Sequence, residues 1–386
     1  MKYKHLNIVL VLFTLLIVAC SSDGESEKVD NLNPYIVCLD DINVEIDAEL
    51  DETVVTYETP IGIDLSEVTT TLSGGLASGA SFPVGTTTNT YLATDASGNT
   101  SQCSFDVIVT KKVDPKSQPF LVENILPSGK KWEVVPEFTD EFDGPDIDSK
   151  WNLDPQGHSD LNWPGRTPAL FQKESFKIID GEMTIEVGVL PEPVTISPYG
   201  SPLTYKYHGG IMRSRVTTTM GNYFECKMKM SKTEMGGGFW LMGRDKCNFK
   251  HEIDITESVG VVSPLAPAWA KNWDRIMHSN AIKRKTACND AIQKEGATIL
   301  DIRNQEKYYV YGFWWKNATE LLFYIDGKYQ YTLTPPQDFD HEAFMQFSIE
   351  SYDWNPIPDD GGKVASASLE DRLTHIDYIR TFKLVD

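Results

Sequence analysis

His251-Glu-Ile-Asp-Ile-Thr-Glu-Ser258 places three carboxylates, Glu252, Asp254 and Glu257, inside a run of β-branched residues. Ile253, Ile255 and Thr256 favour a strand, and Phe239-Trp-Leu-Met242 upstream supplies a second apolar segment, so two neighbouring strands of one sheet are the simplest reading. Side chains alternate along a strand, which puts Glu252 and Asp254 on one face. Glu257 lies five positions beyond Glu252, and strict alternation sends it to the other face. One extra residue near Ile255-Thr256, a β-bulge, returns it to the Glu252 face, and bulges concentrate beside active sites. The stretch therefore predicts a sheet that carries three acids on one surface.

Such a set suits retaining glycoside hydrolysis. One carboxylate attacks the anomeric carbon and a second, kept protonated, donates to the leaving oxygen, with the two roughly 5–5.5 Å apart. Four effective strand steps of about 3.3 Å separate the backbones of Glu252 and Glu257 by roughly 13 Å, so their side chains must lean together. On this reading Asp254 hydrogen-bonds Glu252 and holds it ionised, while the crowding of negative charge raises the pKa of Glu257. Taken alone, the same E-x-D-x-x-E pattern also fits an exposed strand face or a calcium site.

Further segments stand in a recognisable order: Phe138-Thr-Asp-Glu-Phe-Asp-Gly144, Lys150-Trp151, Gly209-Gly210-Ile211 with Arg213-Ser214, Tyr223-Phe-Glu-Cys-Lys227 and Gly238-Phe-Trp-Leu241. With the acidic motif they resemble glycoside hydrolase family 16 over residues 131–386. The resemblance implies an all-β fold, a β-jelly-roll sandwich with a concave substrate cleft. It also implies a retaining mechanism with Glu252 as nucleophile, Asp254 assisting it and Glu257 as acid/base. The bulged motif is shared by laminarinases, agarases, porphyranases and κ-carrageenases. Trp163-Pro-Gly-Arg-Thr-Pro168, Met277-His-Ser-Asn280 and Tyr352-Asp-Trp-Asn-Pro356 resemble segments of the algal-galactan hydrolases, whereas Gly243–Lys250 lacks the Trp-Pro segment usual in laminarinases.

The substrate this implies is a red-algal galactan of the agar or porphyran type, cleaved internally at β-1,4-galactosidic bonds. Alternatives are a κ-carrageenan or furcellaran hydrolase, a laminarin-type β-glucanase, a transglycosylase, and a non-catalytic glycan-binding surface lipoprotein. Trp163, Arg166, Trp240, His278, Glu350 and Trp354 are the candidate substrate-binding residues. A structural salt bridge is the competing reading of Arg166. The chemistry requires no cofactor; a structural calcium on the convex side of the sandwich is common among similar proteins.

Nine Trp and sixteen Tyr suit aromatic platforms for sugar rings, most of the aromatics being core. Trp314-Trp315 alternate by strand logic, one towards the cleft and one towards the interior. The net charge of −21 argues against nucleic acid, which is bound through basic patches. It also disfavours a densely sulfated substrate, although Arg213, Arg215, Arg244 and Lys246 gather near the acidic motif. A monomer is expected.

The N-terminus reads as an address. Met1-Lys-Tyr-Lys-His5 is basic, Leu6–Val18 is an apolar run too short to span a bilayer comfortably, and Ile17-Val-Ala-Cys20 resembles a bacterial lipobox. Residues 1–19 are thus expected to be a lipoprotein signal peptide, Cys20 the lipidated residue and residues 20–30 an acidic leash. The chain would then sit in the outer membrane or at the cell surface, with secretion the alternative. Alternating segments such as Thr88-Asn-Thr-Tyr-Leu-Ala93 and Ser104-Phe-Asp-Val-Ile-Val-Thr110 make residues 31–112 a small β-sandwich. Phe82-Pro-Val-Gly-Thr-Thr-Thr88 and Ala93-Thr-Asp-Ala-Ser-Gly-Asn99 resemble a hyalin-repeat (HYR) module of immunoglobulin-like fold. Residues 113–130, rich in Pro, Ser and Lys, read as a linker.

Export fits the cysteines. Cys38 and Cys103 bracket the small module and suit a disulfide across its ends. Cys247 and Cys288 form a second candidate pair around the acidic strand, and Cys226 reads as a buried free thiol.

Overall fold

The computed structural model describes residues 30–147, 149–153, 163–244 and 250–386, in two compact units, Met1–Val113 and Asp114–Asp386. Cys20 and the proposed signal segment lie outside the described residues, as do Lys246 and Cys247.

In the first unit, Ile42–Ile46, Thr100–Lys111, Gly85–Asp95 and Val68–Gly74 form a four-stranded sheet in that order, the first pair parallel. Glu52–Val54 and Ser81–Pro83 form a separate ladder. Alternate residues of the long strands, Tyr91, Phe105, Val107 and Val109, meet Val55, Tyr57 and Phe82 in one core. A disulfide joins Cys38 to Cys103 with 5.5 Å between Cα atoms. Asp30, Asp64 and Asp95 bring one oxygen each within 4.8 Å of one another, and among the described residues no other group of His, Cys, Asp or Glu is so arranged.

The second unit is a sandwich of two large sheets, antiparallel except where the short strand Ala169–Phe171 runs parallel to Leu203–Ser214. One is eight-stranded and centred on Leu373–Val385, Asn222–Lys229 and Tyr309–Asn317. The other is nine-stranded, its path running Gly188–Ile196, Leu203–Ser214, Ala343–Glu350, Gly236–Gly243, His251–Val259, Ile276–Lys283, Ile292–Ile299. Phe239, Leu241, Ile253, Met345 and Phe347 of the second sheet share one core with Phe224, Phe313, Trp315 and Phe323 of the first. Period-two alternation then sends Phe344, Gln346, Ser348 and Glu350 of the central strand to the opposite face, where they line a cavity.

Two expectations are corrected here. Trp315 is in the core, but Trp314 belongs to the eight-stranded sheet and packs against Trp132 and Tyr223, so neither reaches the cavity. Alternation along a strand yields its two faces and is silent on which sheet it joins. The stretch read as a linker is no free tether: Phe120 N–H donates to the buried Glu225 carboxylate at 2.8 Å, Val122 N–H donates to Gly327 O at 3.0 Å, and Leu121 and Ile125 pack on the Tyr223–Trp314–Tyr324 cluster.

Candidate active site

The strand His251–Val259 keeps regular register up to Asp254, which faces Asn280 on one side and Trp240 on the other. Beyond it the register slips: Glu257 faces His278 and Gly238, so three steps on this strand match two on each neighbour. This is the β-bulge expected near Ile255-Thr256. Both bulge residues turn inward, Ile255 into the core and Thr256 opposite the core residue Phe239. Among the described residues the wholly buried Thr256 hydroxyl has no hydrogen-bond partner. Glu252, Asp254 and Glu257 consequently line one cavity of about 660 Å³.

The adjacent strand Ile276–Lys283, the residue just beyond it and a residue beyond Ala343–Glu350 supply partners to the acids. The Arg284 guanidinium donates to Glu252 Oε1 at 3.3 Å. The Asn280 amide donates to Asp254 Oδ2 at 3.0 Å and to Glu257 Oε2 at 2.7 Å, and the Tyr352 hydroxyl donates to Glu257 Oε1 at 3.1 Å. Among the described residues Asp254 is thus held by Asn280, and the hydrogen bond expected between Asp254 and Glu252 is replaced by the Arg284 pair. Burial pushes the Glu252 carboxyl up to about 7, with Arg284 opposing and Glu257 reinforcing the shift. Burial and then its two acidic neighbours also raise Asp254, well above the usual carboxylate range. Burial and the crowding of carboxylates thus favour the protonated form of Asp254, while Arg284 favours the ionised form of Glu252.

Of the other candidate residues, Trp163, Arg166, Trp240 and Glu350 line the cavity. Trp163 meets Trp240 edge-on at 6.3 Å, and Trp240 Nε1 donates to Ser348 Oγ at 3.2 Å, which fixes the corner they form. Arg166 and Glu350 find each other: Nε donates to Oε2 at 3.1 Å, and the guanidinium lies 5.1 Å from the centre of the Tyr352 ring. Burial pushes Glu350 up to about 7 against the opposing pull of Arg166. His278 and Trp354 lie beside the cavity without lining it. His278 Nδ1 is 3.7 Å from Glu257 Oε2, and Trp354 stacks on Tyr352 at 5.1 Å. Cys288 is half of a disulfide, its proposed partner Cys247 being outside the described residues. Cys226 is a buried free thiol, pushed up by burial.

The profile of the β-porphyranase A–D GH16 domain matches residues 132–384. The chain belongs to glycoside hydrolase family 16. The HYR-domain profile matches residues 29–109. β-Porphyranase B of Zobellia galactanivorans is 39% identical over 266 residues, covering 67% of this chain and 86% of the relative. β-Porphyranase B of Phocaeicola plebeius is 30% identical over 290 residues, covering 67% and 87%. The crystal structure of the Zobellia porphyranase B superposes with a TM-score of 0.63 at 36% identity, over 71% of this chain and all of that one.

In this family 16 hydrolase the cavity is more cationic than the net charge of −21 suggests: Arg166, Arg213, Arg244, Lys250 and Arg284 line it beside the four acids, and Arg215 does not. Sequence reading missed Arg284 and the positioning roles of Asn280 and Tyr352. All three reach the acids from other strands or loops; the basic run Lys283-Arg-Lys285 is the local signal for Arg284, and Asn280 and Tyr352 stand inside the family-like segments Met277–Asn280 and Tyr352–Pro356 without a role assigned to them.

Proposed function

We propose that the protein is a retaining endo-hydrolase of a red-algal galactan, of porphyran type, acting on β-1,4-galactosidic bonds. The observation that carries this reading is the bulged strand that gathers Glu252, Asp254 and Glu257 on one wall of a cavity also lined by five cations. Glu252 attacks the anomeric carbon as the glycosidic C–O bond breaks, and Glu257 passes its proton to the departing oxygen. Water then gives a proton to Glu257 and its oxygen to the anomeric carbon, which releases Glu252. Asn280 and Tyr352 aim Glu257, and Asp254, holding a proton, limits the charge around Glu252. The cations favour a sulfated chain over a neutral one, and porphyranases are the relatives at 39% and 30% identity.

Reducing-end release by the purified chain on porphyran, agarose, κ-carrageenan, furcellaran and laminarin, beside Glu252→Gln, tests this. Release from porphyran with retained anomeric configuration by NMR, abolished in the variant, is expected. Release from laminarin alone refutes the substrate, and binding without release by the native chain refutes the enzyme. We further propose lipidation at Cys20, on its lipobox-like context, which incorporation of labelled palmitate and its loss in Cys20→Ala would test.

A further inference from the structure

Aromatic surface on the Glu257 side continues past the cavity. Tyr352, which donates to Glu257, stacks on Trp354; Trp354 packs against Trp273 at 4.6 Å and Trp269 at 5.2 Å between ring centres. Trp273 also lies 4.7 Å from His278, the residue opposite Glu257 in the sheet. Two contact chains therefore join this cluster to the same carboxylate. Its outer end is open: Trp269 is 59% exposed. That ring is presented by an ordered turn, Ala268–Ala270, closed by Ala270 N–H to Pro267 O and followed by Trp273 N–H to Ala270 O. Three indoles converging on solvent from a fixed turn form an apolar patch of the kind that marks a binding surface.

Charge divides the two walls. At the opposite ends of the same strands, Arg213 and Arg244 sit over Phe344 at 4.2 and 5.1 Å, and Arg284 pairs with Glu252. Among the described residues no cation lies over Trp269, Trp273 or Trp354, and Arg166, which lies over the adjoining Tyr352 ring, is paired with Glu350. A sulfate ester needs a cation or aligned N–H donors, whereas the C–H face of an uncharged pyranose packs on an indole. Galactopyranose suits this contact, because its axial O4 leaves the hydrogens at C3, C4 and C5 together on one face.

We propose that Trp269, Trp273 and Trp354 form a binding platform, outside the catalytic cavity, for an uncharged galactopyranose unit of the substrate chain. Cations on one wall and indoles on the other then read a glycan in which charged and uncharged sugars coexist. The identity of that glycan rests on the function proposed above; the platform itself does not.

The test uses the full chain carrying Glu252→Gln, with and without Trp269→Ala, titrated with a neutral agarose hexasaccharide and followed by tryptophan emission and calorimetry. Loss of Trp269 is expected to weaken binding about tenfold, the scale of one aromatic contact, with Trp269→Phe recovering most of it. In the active chain the same change raises KM for the polymer and alters kcat less than twofold. Equal binding by the two chains, or no binding of the hexasaccharide by Glu252→Gln alone, overturns the platform. Absence of galactan hydrolysis by the native chain, with hexasaccharide binding that still depends on Trp269, would overturn the proposed activity and leave the platform standing.

Discussion

Asn280 donates its side-chain amide to Glu257 at 2.7 Å and, through the same nitrogen, to Asp254 at 3.0 Å. One group on the adjacent strand thereby sets the spacing of two acids. Glu257 becomes charged as it gives up its proton, and a hydrogen bond to a charged group contributes about 1.5–3 kcal/mol, so Asn280→Ala is expected to lower kcat roughly 10- to 100-fold. Initial rates at saturating substrate, with near-UV circular dichroism as a folding control, are the measurement. An unchanged kcat would remove Asn280 from the positioning of Glu257.

Attack requires ionised Glu252, whose carboxyl burial pushes up to about 7. A raised carboxyl pKa keeps the protonated, unreactive form populated to higher pH, so kcat/KM should climb as pH rises from 5 towards 7. Arg284 is the strongest influence opposing that shift. Arg284→Met is expected to move the acidic limb of the pH profile to higher pH, and a limb that stays in place would show that the pair with Glu252 does not govern the ionisation.

Glu225 lies wholly buried beneath the 114–130 stretch, and burial pushes it up to about 7. Between its unfolded value near 4.5 and about 7 the folded chain holds a proton that the unfolded chain has released. Stability from this group is therefore complete below 4.5 and lost as pH rises through 7. Glu225→Gln keeps an acceptor for Phe120 N–H and removes the buried charge. It should raise the melting temperature of the second unit at pH 8 by several degrees, on the order of 1–3 kcal/mol, and leave it unaltered at pH 4.5. Calorimetry at the two pH values decides; an equal shift at both would assign the effect to packing.

Gly238 faces Glu257 across the ladder, and a Cβ there would lie 1.7 Å from the Thr256 carbonyl oxygen. At the bulge that carbonyl comes so close to Gly238 that only a residue without a side chain admits it. Gly238→Ala is expected to displace the bulge, cost more than about 2 kcal/mol as overpacking and reduce kcat at least tenfold in whatever fraction folds. Wild-type activity in a folded Gly238→Ala chain would contradict this account.

What could be read in advance follows from the range of the interactions. The acidic surface and its bulge were legible because they depend on alternation within nine residues of one strand. Cys38 and Cys103 were legible from the ends of a short module. Arg284, Asn280 and Tyr352 gain their meaning from register between strands far apart in sequence, which no local pattern encodes. The pairing of Arg166 with Glu350 was open for the same reason: either side chain alone suits a sugar, and only their 184-residue closure shows that each satisfies the other. The 114–130 stretch carried a local signal in Phe120, Leu121 and Ile125, but its prolines and lysines outweighed it.

The bulge has a consequence for how such a site changes over generations. A strand reading Glu-Ile-Asp-Ile-Glu, with one residue fewer, would also bring its third acid to the face of the first, since an even number of steps restores the alternation. The added residue alters what enters the core, Ile255 and Thr256 in place of a single side chain, and leaves the facing of the acids as it was. Loss of one codon at this point would fall on interior packing and spare the chemistry. Lineages can therefore gain or lose that codon without passing through an ancestor that has lost its acid.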